Sequence, residues 1–75
     1  MTTILEFSFK GESISLYMDT KTLFQDEVFS FYHNGYTYNF KVKWDRSEIE
    51  IFLTDETKPI YYVGCFELYF NKNLK

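Results

Sequence analysis

From Tyr36 to Trp44, large apolar and polar side chains alternate without a fault: Tyr36, Tyr38, Phe40, Val42 and Trp44 against Thr37, Asn39, Lys41 and Lys43. A period of two is that of a strand with one buried face, whereas a helix would scatter the same residues around its axis. Asn34-Gly35 stands just before this run. That pair suits a type I′ turn, which needs positive φ at both central residues. The turn sets Phe31 opposite Tyr38 and Phe29 opposite Phe40, so the middle of the chain reads as an antiparallel hairpin.

The same period recurs on both sides. Leu5, Phe7 and Phe9 alternate with Glu6, Ser8 and Lys10, and Ile14, Leu16 and Met18 alternate with Ser13, Ser15 and Tyr17. A type II′ turn at Gly11-Glu12 would place Phe9 opposite Ile14, Phe7 opposite Leu16 and Leu5 opposite Met18. After Trp44, a four-residue loop Asp45–Glu48 would place Trp44 by Ile49, Val42 by Ile51, Phe40 by Leu53, and Lys43 across from Glu50. A last strand runs from Ile60 to about Phe70. Ile60, Tyr62, Phe66, Leu68 and Phe70 form one face, the first four of them assigned inside, and Gly64 marks a bulge or bend. Between Asp19 and Glu27 the spacing Thr22-Leu23-Phe24-Gln25 allows one helical turn, and an irregular crossover with Leu23 and Phe24 dipping into the core is the equal alternative. The expectation is a single all-β domain over residues 1–75. It is a six-stranded antiparallel meander curled into a small barrel or half-open sandwich, with at most one short helical turn near 20–26.

Composition narrows the chemistry. One His and one Cys cannot supply the four nitrogen or sulfur ligands of an ordinary zinc site. There is no EF-hand spacing and no glycine-rich phosphate loop. His33 reads as a partly exposed turn residue stacked on Tyr36, and Cys65 as an inert reduced hydrophobe. No cofactor, no metal and no catalytic residue is therefore expected, and the chain does not read as an enzyme. Net charge is −3 with no basic run, which makes nucleic-acid binding an unfavourable reading. Ile60–Phe66 is too short to span a bilayer, and no secretory pattern occupies Met1–Lys10, so a cytoplasmic, non-membrane protein is expected.

Nine Phe, seven Tyr and one Trp exceed what the inner faces need. With the faces assigned as above, Tyr17, Tyr32, Phe52, Tyr61, Val63 and Tyr69 point outward. Such residues in one patch would form a protein interface. The final strand, apolar on both sides, is the expected edge for a partner or a homodimer. The chain lacks Ala, has one Arg, and is rich in the residues of AT-rich codons. These features lead to an expected function: a non-catalytic protein-binding module, encoded by a phage or mobile element, that inhibits a host defence protein by steric occlusion in the manner of an anti-CRISPR. The alternatives are a toxin-neutralising immunity protein and a weak single-stranded nucleic-acid-binding barrel in which Tyr32, Thr37, Asn39, Lys41 and Lys43 share an outward face.

Overall fold

A computed structural model describes residues 1–25 and 27–71, with the side chain of Asn71 left aside. The protein is all-β and antiparallel. Its strands are β1 (Thr2–Phe9), β2 (Glu12–Asp19), β3 (Phe29–His33), β4 (Tyr36–Lys43), β5 (Glu48–Leu53), β6 (Tyr61–Val63) and β7 (Phe66–Asn71), and one helical turn, α1 (Thr20–Leu23), follows β2. They form two sheets, ordered β2-β1-β7 and β3-β4-β5-β6, which are not closed into a barrel. The expected all-β antiparallel fold holds, in its half-open rather than its barrel form, and the correction is one of topology: among the described residues the strands number seven, in two sheets, and not six in one meander.

The Asn34-Gly35 hairpin has the expected register, Phe31 facing Tyr38 and Phe29 facing Phe40. Both turn residues take positive φ, 49° and 84°. The first hairpin differs. Its turn is Lys10-Gly11, with φ of 52° and 82°, so the glycine fills the second place of a type I′ turn and not the first of a type II′. Phe7 therefore faces Ile14 and Leu5 faces Leu16. The slip relative to the expectation is two residues, an even number, so every side chain keeps its face. Lys10 also extends its ammonium to 5.4 Å from the centre of the Phe9 ring and 5.6 Å from that of Tyr38.

The β4–β5 connection is corrected by the same even slip. Its loop is Trp44–Ser47, tied by the Arg46 amide donating to the Lys43 carbonyl at 3.1 Å and ended by Ser47 at φ 51°. Val42 faces Ile49, Phe40 faces Ile51, and the charged pairs are Lys41–Glu50 and Lys43–Glu48.

The last segment departs furthest from expectation. It is not one strand: β6 pairs with β5, Gly64-Cys65 breaks the run, and β7 crosses to pair with β1 in the other sheet. Tyr61 pairs with Ile51 and Val63 with Ile49, so Tyr61 and Val63 share the inward parity of those core residues. Ile60, Tyr62 and Leu53, expected inside, are exposed. Phe66 and Leu68 pack on the core as expected. The two-residue break shifts the phase by one, which is why both parities of the segment are apolar in sequence.

The core joins the two sheets. Leu5, Phe7 and Phe9 of one meet Phe31, Tyr38, Phe40, Val42, Ile49 and Ile51 of the other, with Leu23 from α1 and Val63 from β6. Phe9 has the rings of Phe31, His33, Tyr38 and Tyr61 around it, all edge-on with centroids 5.0–5.5 Å away. Edge-on packing of this kind adds about 0.5–1.5 kcal/mol per pair to the burial itself. The reading of His33 is corrected too: it is 8% exposed, packs on Phe9 and not on Tyr36, and sets Nε2 3.3 Å from Glu12 of the opposite hairpin. Its parity with Phe29 and Phe31 on β3 turns it inward. The helical turn is capped by Asp19, whose carboxylate accepts from the Thr22 amide and hydroxyl, both at 3.1 Å. The Thr3 and Thr20 hydroxyls meet at 2.6 Å and fasten the turn to β1.

Candidate interaction surface

The outer face of β2-β1-β7 is built in rows by the strand registers. Tyr17, Ile4 and Tyr69 form one row, and Ser15, Glu6 and Glu67 form the next. Tyr17 is 67% and Tyr69 45% exposed, with Ile4 half-buried between them. Glu6 and Glu67 are directly opposite each other on neighbouring strands. Like charges in that position repel, and sheets ordinarily avoid it. The three strands contain Glu6, Glu12, Asp19 and Glu67 and not a single Lys or Arg. The Ser15 hydroxyl donates to Glu6 at 2.9 Å. Glu67 beside it, then desolvation, then Glu6 push the Tyr69 hydroxyl above the ordinary tyrosine range, with hydrogen bonds to both carboxylates adding to the shift. Tyr69 is therefore a protonated donor set among anions. A shallow hollow of about 320 Å³ opens beside the acids, lined by Glu6, Ser8, Ser13, Cys65 and Glu67 over Phe7 and Phe66.

The six residues expected at the interface do not make one patch. Tyr17 and Tyr69 share this outer face, one strand apart. Tyr32, 73% exposed, and half-buried Phe52 lie on the outer face of the other sheet, on the far side of the molecule. Phe52 floors a concavity of about 540 Å³ with Val28, Asn39, Lys41, Asp55, Glu56 and Thr57. Tyr61 and Val63 are the correction: Val63 is 5% exposed and Tyr61 packs edge-on against Phe9, so neither is a surface anchor. Parity taken from an unbroken strand placed them outside. The pairing with β5 turns them in.

Sequence reading missed a second aromatic feature. Phe24, about half exposed, stacks on Trp44 at 4.8 Å and lies parallel to Phe70 at 6.4 Å, while Trp44 meets Phe66 edge-on at 5.9 Å. This stack gathers the residue that ends α1, the β4–β5 loop and β7, so no local pattern could have revealed it. Leu23 turns into the core and sends its neighbour Phe24 outward.

Among the described residues, no group of three or more His, Cys, Asp and Glu side chains is placed to hold a metal ion, and no helix is long and apolar enough to cross a membrane. His33 lies inside against Phe9, whereas Cys65 is exposed after Gly64. No family model matches this chain, and neither a curated protein nor a solved structure is similar to it.

Proposed function

We propose that this chain is a non-catalytic protein-binding module that inhibits its target by covering a basic functional surface. In this reading it is encoded by a phage or mobile element and acts in the host cytoplasm against a defence protein. The observation that carries the reading is the Glu6–Glu67 pair beside the Tyr17–Ile4–Tyr69 row, on three strands with no Lys or Arg among their described residues. A Lys or Arg from a target, entering between the carboxylates, turns repulsion into attraction and releases a cost the free protein carries. The flanking tyrosines supply rigid area and donors that become buried in the same step, the usual make-up of an interface anchor. The same charges repel a phosphate backbone, which disfavours the nucleic-acid alternative.

The test is capture of a target from host lysate by the tagged protein, compared with its Glu67→Lys, Tyr17→Ala and Tyr32→Ala variants. Capture should weaken with added salt, fall at least about tenfold with Glu67→Lys or Tyr17→Ala, and be unchanged with Tyr32→Ala on the far face. Equal capture by all variants would overturn the assignment of the surface. Tight, salt-steep binding to a labelled oligonucleotide would overturn the function.

A further inference from the structure

The sheets come apart on one side. β6 and β7 are joined through Gly64-Cys65, but β2 and β3, the other end strands, leave a cleft of about 290 Å³ between them. Its walls are Leu16 and Met18 of β2 and Phe29 and Phe40 of the facing sheet, with Tyr17 and Asp19 at the rim. Edges are normally protected by being short or by carrying charge, proline or a bulge. β6 has only three residues and β7 carries Glu67. β2 is eight residues long, without proline, and its six central residues Ser13–Met18 are uncharged. In an antiparallel pair closed by a two-residue turn, alternate residues bond the partner strand. The register with β1 therefore directs the backbone N–H and C=O groups of Ser13, Ser15 and Tyr17 away from β1, toward the free side. The inward side chains Ile14, Leu16 and Met18 are only half-buried, although they pack on the core.

We propose that the free edge of β2 accepts a β-strand from a protein target. The incoming segment runs antiparallel to β2, bonds Ser13, Ser15 and Tyr17, seats alternate apolar side chains over Leu16, Met18 and Phe29, and carries basic residues opposite Glu12 and Asp19. The charges select this occupant. β2 has an acid at each end and no base, so a second copy would bring two more acids and no base to the edge, whereas Lys or Arg there is attracted. Main-chain bonds give such strand addition its affinity and the alternate pockets its specificity. The inference rests on the reading of the chain as a protein-binding module and adds to it the manner of engagement.

The probe is a synthetic peptide, acetyl-KVTVTVTK-amide, which places valines over the cleft and lysines opposite the two acids, titrated into the full chain by NMR. Binding should slow hydrogen exchange at the Ser13, Ser15 and Tyr17 amides and leave the Tyr32 amide unchanged. The analogue EVTVTVTE should bind at least about tenfold more weakly. Methylating the backbone nitrogen of the central threonine, which removes one donor to β2 without altering the protein, should weaken binding similarly. Ser15→Pro, at an edge position whose N–H faces outward, should fold and lose the peptide. No shift at about 1 mM peptide, protection spread over other strands, equal binding of the glutamate and lysine peptides, or β2 amides protected by self-association without peptide would each overturn the proposal. If the peptide fails while target capture still depends on Glu67, strand addition falls and the proposed function stands.

Discussion

The two sheets share one core but treat their outer faces in opposite ways. On β3-β4-β5-β6, Lys41 lies across from Glu50 and Lys43 across from Glu48, and Arg46 reaches Glu50 at 2.9 Å and Glu48 at 3.5 Å. Ser30 donates to Asn39 across the strands, and the Thr54 hydroxyl donates to the Thr37 carbonyl. This face satisfies itself. On β2-β1-β7 a glutamate faces a glutamate, and tyrosines stand exposed beside them. Each exposed pair contributes at most about 1 kcal/mol, so neither face decides whether the protein folds. The core does that. The outer faces are free to differ, and the one with no Lys or Arg among its described strand residues is the surface proposed above for a partner.

The largest expected effect sharpens the boundary between core and face at β6. Replacing buried Val63 by Asn should destabilise the protein by about 3 kcal/mol or more, through lost apolar burial and an unsatisfied amide. Tyr62→Asn, one residue away and exposed, should cost less than about 1 kcal/mol. Urea denaturation of the two variants checks the parity, and a larger loss from Tyr62→Asn would restore the unbroken-strand assignment.

A charge reversal on each sheet should act with opposite sign. Glu67→Lys replaces repulsion from Glu6 by attraction and should stabilise the free protein by about 0.5 kcal/mol. Glu50→Lys sets two lysines opposite each other and removes the Arg46 partner, and should destabilise by about 1 kcal/mol. Thermal melts at low salt measure both, and losses from both changes would erase the contrast drawn between the faces.

The smallest effect is at the junction of β2 with α1. The Thr22 amide, then its hydroxyl, hold the Asp19 carboxyl below its ordinary range. A depressed folded-state value means that the stabilisation is present above the unfolded pKa and is lost as pH falls through the folded one. The gap in stability between wild type and Asp19→Ala should therefore narrow as pH drops below about 4. A gap independent of pH would show that the carboxylate does not cap the turn.

Local chemistry in the sequence determined the strand class, the Asn34-Gly35 turn with its register, and the inward parity of Leu5, Phe7, Phe9, Phe40, Val42 and Ile51. Each follows from a period of two or from a turn that only certain residues can make. Tyr17 and Tyr69 were legible as outward-facing for the same reason. Tertiary structure alone decided the rest. Two registers slipped by an even number of residues, which the hydrophobic pattern cannot detect because the faces stay intact. Val63 and Phe66 both point inward because β6 and β7 pair with different sheets across Gly64-Cys65. That phase change is set by partners distant in sequence, β5 and β1. Glu6 and Glu67 become neighbours only through the pairing of the first long strand with the last, and Phe24, Trp44 and Phe70 meet only where three elements converge. Periodicity dictates which way a side chain points, but what it points toward depends on non-local pairing, and the candidate surface is built from such pairings.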